Sequence, residues 1–332
     1  MLRYGILGFG AHAAKRLMPG FERASRSKAA GFWRRDPQKS AEVSLKYGLK
    51  SFAEAEALCA SPEVDAIFIA SPDALHLDHT LLALRYKKPV LCEKPLGMNA
   101  EECRQMVDAA KKAGVPFGVA HIFRFEASVR RIKQLVTGGG WGRPFFARSE
   151  FHYIGAQSPR TWIADPQLAC GGPVGDVGVH CIDALRFIFD DQVAAVSASA
   201  IHHASPEIES AATMVLEFAG GAIASVSVSA IAEYQTPLSI LLESGSLSAE
   251  NAFTVDSPVQ LRTKPVGGPL KTETITNDDA YAHQVDAFSD WVEHKTPFPA
   301  MGVEGWRNQL VLDAAYRSIK TGKKEFVPLI ND

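Results

Sequence analysis

Two polar residues near the middle of the chain have the types and spacing needed for proton transfer. Asp176 and His180 stand four positions apart in the segment GDVGVHCID, so a helix would place both side chains on one face. A carboxylate beside an imidazole orients the ring and stabilises its protonated form, which favours acid–base chemistry. Asp183 follows on a neighbouring face. A structural Asp–His pair would show the same spacing. No third residue has a spacing suited to metal ligation with them, so we predict no metal site.

A lysine occupies a second position suited to chemistry. Lys94 lies in the segment LCEKPLG, directly after an apolar, strand-like run at 89–92. Ligands bind at the carboxyl ends of parallel strands, where a lysine can act as a compact hydrogen-bond donor. Glu93 could pair with Lys94 or with the ribose of a nicotinamide nucleotide. The alternative for Lys94 is a solvated loop position.

A glycine-rich loop near the N-terminus predicts a phosphate site. Gly8, Gly10 and Ala13 have the spacing G-x-G-x-x-A, between a first strand and a first helix. The first glycine permits a tight turn, the second lets a pyrophosphate approach the backbone, and the alanine allows close helix–strand packing. Phosphates then bind at the helix N-terminus, where free N–H groups favour anions. A glycine turn without a ligand is the alternative.

The end of the second strand suggests which dinucleotide binds. An acidic residue there would hold the adenosine ribose, but the segment GFWRRDPQKS contains Arg34 and Arg35. Asp36 precedes Pro37 and is predicted to cap a helix instead. Arg34 could bind a 2′-phosphate and Arg35 could stack on the adenine, so we predict that NADP is preferred and that NAD is possible. Two solvated surface arginines are the alternative.

The elements around these residues predict an α/β protein of two domains. Residues 1–122 alternate apolar strands with helices, which indicates a doubly wound parallel sheet of the Rossmann type. Residues 123–332 form a predicted α+β domain with a large, mostly antiparallel sheet, in which AGGA at 219–222 is a hairpin turn. The last helix, 303–321, could pack back on the first domain.

Composition excludes several function classes. The 332 residues carry a net charge of −2, with 46% hydrophobic and 22% charged residues. A net charge this close to zero gives no electrostatic attraction to nucleic acid or to an anionic membrane. No apolar run is long enough to span a bilayer. Five cysteines without a CxxC pair, and an N-terminus without an export signal, predict a protein of the reducing cytoplasm.

Three segments together resemble one protein family. LCEKPLG at 91–97, SPDALH at 71–76 and CGGPVGDVGVHCIDALRF at 170–187 are similar to motifs of the Gfo/Idh/MocA family, whose name derives from glucose–fructose oxidoreductase, inositol dehydrogenase and rhizopine catabolism. The closing segment GVEGWRNQLVLDAAYRSIKTGKK is similar to the family's last helix. Two positions depart from the pattern, because Pro173 replaces a turn glycine and Asp73 stands where the family often has Asn.

The resemblance implies an NAD(P)-dependent oxidoreductase that moves a hydride between the nicotinamide and a secondary alcohol or ketone of a sugar, polyol or cyclic alcohol. His180, held by Asp176, would exchange the hydroxyl proton, and Lys94 would hydrogen-bond the same oxygen. The expected cofactor-binding residues are Gly8, Gly10, Ala13, Arg34, Arg35, Ser71, Pro72, His76 and Glu93. The residues expected on the substrate side, each of which could also be structural, are His121, Arg124, Tyr153, Arg160, Trp162 and Asp183.

The resemblance also implies a homodimer or homotetramer formed through the C-terminal sheet. Two other functions fit the same residues. One is an enzyme that retains its cofactor tightly and oxidises its substrate only transiently. The other is an NADP-sensing binding protein without catalysis, which retention of Lys94, Asp176 and His180 disfavours.

Overall fold

A computed structural model describes residues 1–203 and 205–330, which fall into two units. Unit 1 comprises Met1–Ile122, Gln167–Ala169 and Asp279–Trp306. Unit 2 comprises Phe123–Pro166, Cys170–Asp278 and the chain from Arg307 onwards. Within the described residues, no helix combines the length and the apolar character needed to cross a membrane.

The strands and helices follow one another in the order that an α/β unit and a strand-rich unit require. The strands are β1 (Leu2–Leu7), β2 (Ser27–Trp33), β3 (Lys50–Ser51), β4 (Ala66–Ile69), β5 (Val90–Cys92), β6 (Phe117–Val119), β7 (Pro144–Ile154), β8 (Val193–Ile201), β9 (Ala211–Phe218), β10 (Ile223–Ser229), β11 (Ile231–Gln235), β12 (Leu238–Leu242), β13 (Gly245–Ala249), β14 (Val259–Pro265), β15 (Lys271–Ile275) and β16 (Glu325–Phe326). The α-helices are α1 (Met18–Arg23), α2 (Pro37–Tyr47), α3 (Ala55–Ala60), α4 (His76–Arg85), α5 (Ala100–Ala113), α6 (Ala127–Thr137), α7 (Val179–Phe189), α8 (Ala280–His294) and α9 (Gly302–Thr321).

Unit 1 is built on a parallel six-stranded sheet with the order β3-β2-β1-β4-β5-β6. Its central strands, β1 and β4, are apolar except for Arg3 of β1, and β4 is buried at every position. A strand covered on both faces needs apolar residues at consecutive positions, which is the pattern in the sequence. The predicted Rossmann-type sheet is confirmed.

Capping residues define the helix ends in unit 1. The Asp36 side chain caps α2 as predicted, since it accepts hydrogen bonds from the backbone N–H groups of Gln38 and Lys39, and α2 ends at Gly48 in the left-handed conformation. The Asn99 side chain caps α5 by accepting from the Glu102 N–H. A π-helical segment, Ala13–Leu17, runs directly into α1, which tolerates Pro19 at its second position.

Helix α8 belongs to unit 1, although the sequence assigned residues 279–294 to the second domain. It packs against α1 and β2, and the Tyr4 hydroxyl of β1 donates a hydrogen bond to the Val285 carbonyl at 3.0 Å. A Cβ at Gly20 of α1 would lie 2.6 Å from the Tyr281 Cβ, so the two helices approach closely there. Such long-range packing leaves no local signal in the sequence.

Unit 2 contains a ten-stranded sheet with the order β15-β14-β13-β12-β7-β10-β9-β8-β16, while β11 pairs with β7. All its pairings are antiparallel except that of β7 with β10, so the predicted mostly antiparallel sheet is confirmed. The AGGA segment forms the expected turn between β9 and β10, with Gly221 at a φ of 93°. A π-helical segment, Val174–Gly178, and α7 pack against β7, and that segment also packs against β10.

Candidate active site

The glycine loop of unit 1 follows β1 and is shaped by close backbone packing. Gly8 has a φ of +86°, and a Cβ there would lie 2.5 Å from the Ser71 Cα. Any other residue would therefore be strained and would clash with the loop after β4. At Gly10 a Cβ would meet only the Gly8 carbonyl oxygen, at 3.9 Å, so the backbone is open to approach. Ala13 is completely buried, as close helix–sheet packing requires.

Two histidines of α4 hold Ser71 in place. The His76 ring contacts the Ser71 carbonyl through Nε2 and the Pro95 carbonyl through Nδ1, each at 3.0 Å. Because carbonyl oxygens only accept hydrogen bonds, both contacts are hydrogen bonds only when the ring carries two protons. His79 contacts the Ser71 hydroxyl at 3.0 Å, and burial lowers the pKa of His79 to about 4. His76 thus ties the loop after β4 to the turn that contains Lys94.

Glu93 makes a contact that the sequence did not predict. Its carboxylate lies 2.9 Å from Nε2 of His12, on the first turn of the helix after the glycine turn, and accepts the Lys94 backbone N–H at 3.2 Å. Burial alone would raise the pKa of Glu93, but His12 and Lys94 outweigh it and lower the pKa. The motif itself contains His12, but its spacing does not indicate which residue the imidazole contacts.

The end of β2 presents the two arginines. Arg35 is exposed, whereas the Nε of Arg34 is buried and has no hydrogen-bond partner among the residues that the structure describes. Asp36 is occupied as the α2 cap. An orphaned guanidinium nitrogen at this strand end fits a ligand oxygen.

Asp176 of unit 2 is held by residues from two other segments. Arg160 donates two parallel hydrogen bonds to its carboxylate, at 2.9 and 2.7 Å, and the Tyr153 hydroxyl donates a third at 2.9 Å. Only 5% of Asp176 is exposed. Burial, followed by the charge of Asp176, raises the pKa of Tyr153, so the phenol stays protonated. Two residues that were predicted on the substrate side therefore converge on the predicted catalytic carboxylate.

His180 lies on α7, which continues from the π-helical segment carrying Asp176. The backbone around Asp176 is thus π-helical rather than the expected α-helix. The His180 ring is packed edge-on against Phe123, with centroids 4.8 Å apart, and stacks at 6.0 Å on Phe151. Aromatic walls of this kind exclude water from an imidazole.

Arg124 and Asp183, both expected on the substrate side, contact each other. Arg124 donates through Nε and Nη2 at distances of 2.7–3.1 Å, and both side chains are almost fully buried. Asn308 donates to the same carboxylate at 2.8 Å and accepts from Arg186 at 2.6 Å. These contacts favour a structural role, and a role in substrate binding stays a prediction.

Three other predicted residues are placed by the elements that carry them. His121 is buried just after β6 in unit 1. Trp162 lies on a 3₁₀ turn, Thr161–Ala164, in unit 2. Pro72 precedes a 3₁₀ turn, Asp73–Leu75, that leads into α4. Their roles stay predictions.

Sequence comparison assigns the chain to a family. Residues 2–121 match the family described as "Oxidoreductase family, NAD-binding Rossmann fold", and residues 129–248 match the "GFO/IDH/MocA C-terminal domain". The chain belongs to the Gfo/Idh/MocA oxidoreductase family. The expected family and its enzyme class are thereby confirmed.

Similar members of the Gfo/Idh/MocA family are sugar enzymes by name. A 1,5-anhydro-D-fructose reductase of Ensifer adhaerens is 32% identical over 83% of this chain and 80% of its own length. A D-xylose 1-dehydrogenase (NADP(+)) of Haloferax volcanii is 30% identical over 97% of this chain and 98% of its own. A crystal structure of aldose-aldose oxidoreductase from Caulobacter crescentus, complexed with glycerol, superposes with a TM-score of 0.91 at 25% identity, over 98% of this chain and 99% of that one.

The residues of unit 1 fit the dinucleotide that the Gfo/Idh/MocA family binds. The open backbone at Gly10 and the strained Gly8 turn would receive the pyrophosphate, and the orphaned Arg34 would face the adenosine end. Glu93 and the loop held by His76 would lie toward the nicotinamide. The nicotinamide supplies a carbon that accepts or releases a hydride.

Proposed function

We propose that this protein transfers a hydride between NADP and a secondary alcohol or ketone of a sugar, polyol or cyclic alcohol. The proposal rests chiefly on the Asp176 carboxylate, which three hydrogen bonds fix at the start of the helix that carries His180. The named activities of the relatives supply the substrate class, because an anhydrofructose reductase and a xylose dehydrogenase both act on sugars. The arrangement suits proton transfer from a hydroxyl group.

Each polar residue has a proposed role in the reaction. His180 removes the substrate hydroxyl proton during oxidation and returns it during reduction. Asp176, fixed by Arg160 and Tyr153, supplies the negative charge that stabilises the protonated imidazole. Lys94 hydrogen-bonds the reacting oxygen and stabilises negative charge as it develops there.

The residues at the end of β2 support the proposed preference for NADP over NAD. Asp36 caps α2 and is therefore engaged, while Arg34 keeps an Nε without a hydrogen-bond partner among the described residues. A guanidinium binds phosphate with charge-assisted hydrogen bonds. Arg34 also occupies the position at the end of β2 where an acidic residue would repel the 2′-phosphate. The NADP(+) in the name of the Haloferax volcanii relative is consistent with this proposal.

A spectrophotometric screen tests the activity. Purified protein is assayed with a panel of sugars and polyols, using NADP⁺ and NAD⁺ in parallel, and with the corresponding carbonyl compounds and NADPH. We expect net reduction of NADP⁺ with at least one sugar or polyol. Binding of NADPH without turnover of any alcohol or carbonyl compound would instead support a sensing protein.

A measurement of bound cofactor separates the remaining alternative. The purified protein is denatured, and the released dinucleotide is quantified by chromatography. We expect dinucleotide well below one equivalent, because an enzyme that consumes free NADP⁺ must exchange it. A stoichiometric amount of retained cofactor, together with substrate oxidation that consumes no free NADP⁺, would indicate a recycled cofactor.

We propose that a second copy of this chain covers the open face of the unit 2 sheet. Phe146 is exposed on that face and pairs across the strands with Ile223 and Leu241, which are also exposed. Beside them lies a groove of about 300 Å³ lined by small side chains, among them Ser199 and Thr213. Such a flat apolar face suits an isologous interface, and the expected homodimer or homotetramer would bury it. A monomer in light scattering at micromolar concentration would contradict the proposal.

We also propose that the protein is cytoplasmic. All five cysteines are free, and four of them are buried, as is typical of proteins kept in a reducing compartment. Fractionation of the native host with an antibody against the protein would test the location.

A further inference from the structure

His12 lies close to the expected phosphate site. It comes two residues after Gly10, on the first turn of the helix that follows the glycine turn, and its side chain is 30% exposed. Its Nε2 is 2.9 Å from Oε1 of Glu93, in the turn after β5. The contact therefore joins the start of that helix to a turn that lies 81 residues further along the chain.

The Glu93 carboxylate needs hydrogen-bonding or positively charged partners. Its carboxylate is ionised because its pKa is lowered, and its side chain is only 12% exposed, so the charge needs compensation. The same carboxylate accepts the Lys94 backbone N–H at 3.2 Å. Whatever fixes Glu93 relative to the glycine loop thereby also fixes the turn that carries Lys94.

Two other side chains adjoin the pair. Lys94 contributes a positive charge that also lowers the Glu93 pKa. On the far side, the His12 ring meets the Tyr281 ring of α8 edge-on, with centroids 5.9 Å apart, and this packing restricts the orientation of the imidazole.

We propose that His12 is a positioning residue that holds Glu93 and the Lys94 turn against the glycine-rich motif, and that this contact strengthens dinucleotide binding. The His12 ring can donate one hydrogen bond to the Glu93 carboxylate. Without that donor, the largely buried Glu93 charge has one partner fewer, and the turn that carries Lys94 is held less firmly.

This inference rests on the proposed function, and two substitutions test it. His12→Ala removes the hydrogen bond to Glu93, whereas His12→Gln keeps an N–H donor. Calorimetric titration with NADP⁺ should show binding to His12→Ala that is about 10-fold weaker than to wild type, as loss of a hydrogen bond to a charged group implies. His12→Gln should recover most of that affinity, which a ring that acted only by packing would not allow.

His283→Gln is the matched control, because His283 is exposed on α8 in the same unit, and it should leave the affinity unchanged. An unaltered NADP⁺ affinity in His12→Ala, or an affinity in His12→Gln as low as in His12→Ala, would overturn the inference alone. Absence of NADP⁺ binding by wild type would overturn the proposed function together with it.

The pair itself is tested without dinucleotide. In ¹⁵N-histidine spectra of the free protein, the chemical shift of the His12 Nε2 should differ between wild type and Glu93→Gln, because a hydrogen bond to a carboxylate perturbs the ring nitrogen. Equal chemical shifts in the two proteins would show that Glu93 does not hold His12, whatever the binding data.

Discussion

The two units assemble their polar sites in different ways. In unit 1 the residues come from loops after neighbouring parallel strands: Gly8 after β1, Ser71 after β4 and Glu93 after β5. The topology alone brings these loops to one edge of the sheet. In unit 2, Asp176 is held by Tyr153 on β7 and by Arg160 in an irregular segment after it. Parallel topology thus specifies which polar groups meet, whereas the second site depends on the path of individual loops.

The largest expected effect concerns the Asp176 site. Asp176→Asn keeps the side-chain size but removes the negative charge that Arg160 contacts and that is proposed to stabilise the protonated His180. We expect kcat/KM to fall by about 10²–10⁴-fold, the usual contribution of general acid–base catalysis. Asp190→Asn is the matched control, because Asp190 is exposed at the end of the same helix and should leave kcat/KM within about 2-fold. Equal activity of both variants would show that Asp176 only supports the fold.

The buried Arg124–Asp183 pair should matter more for stability than for substrate binding. Asp183→Asn leaves the Arg124 charge buried and uncompensated, so the free energy of unfolding should fall by about 3–5 kcal/mol. Urea unfolding followed by circular dichroism measures this change. Unchanged stability with a raised KM would instead support the predicted contact with substrate.

Glu126 gives a contrast with Asp176 inside unit 2. It is fully buried before α6, and neither carboxylate oxygen has a hydrogen-bond partner among the described residues. Burial, with smaller contributions from Asp256 and Asp278, raises the pKa of Glu126 to about 8. The folded state therefore favours the protonated carboxyl over the ionised one up to about pH 8.

The sign of the pH effect follows from that raised pKa. The stability contributed by protonated Glu126 is fully present below about pH 4.5, where the unfolded carboxyl is also protonated, and is lost as the pH rises through 8. Glu126→Gln cannot ionise, so its free energy of unfolding does not change in this way. The free energy of unfolding of the variant minus that of wild type should therefore be larger at pH 8 than at pH 5, by roughly 2–4 kcal/mol. Parallel pH profiles for the two proteins would refute this account.

The smallest expected effect tests the adenosine end of unit 1. Arg34→Asp removes a charged hydrogen bond to the 2′-phosphate and adds repulsion, so the ratio of kcat/KM for NADP⁺ to that for NAD⁺ should fall by about 10- to 100-fold. Arg35→Asp, at an exposed position, is the comparison and should have a smaller effect. A wild type that prefers NAD⁺, or an unchanged ratio in Arg34→Asp, would make both arginines ordinary surface residues.

Much of unit 1 could be predicted because its signals are local. A buried parallel strand is an apolar run in the sequence. The helices α2 and α5 begin and end at residues that commonly cap helices: Asp36 and Gly48 for α2, and Asn99 and Gly114 for α5. The family motifs likewise identified Lys94, Asp176 and His180 as candidate residues. These features each depend on a few consecutive residues.

The remaining features depend on partners that are distant in sequence. Nothing near Glu93 indicates that His12 contacts it, and nothing near Asp176 indicates Arg160 and Tyr153 as donors. The π-helical backbone at Val174–Gly178 also lacks a sequence signal of its own. Side-chain pairing across loops is decided by tertiary packing, which spacing rules do not contain.

The contact between Gly8 and Ser71 has a consequence for folding. The glycine loop packs against backbone about sixty residues further along the chain, so its shape cannot form until β4 is in place beside β1. A nascent or partly unfolded chain in which β4 is not yet paired with β1 therefore lacks the expected phosphate-binding site. Because only the native state would bind the dinucleotide, the cellular pool of cofactor would shift the folding equilibrium toward that state by mass action, by about 2.7 kcal/mol at a concentration of 100 Kd.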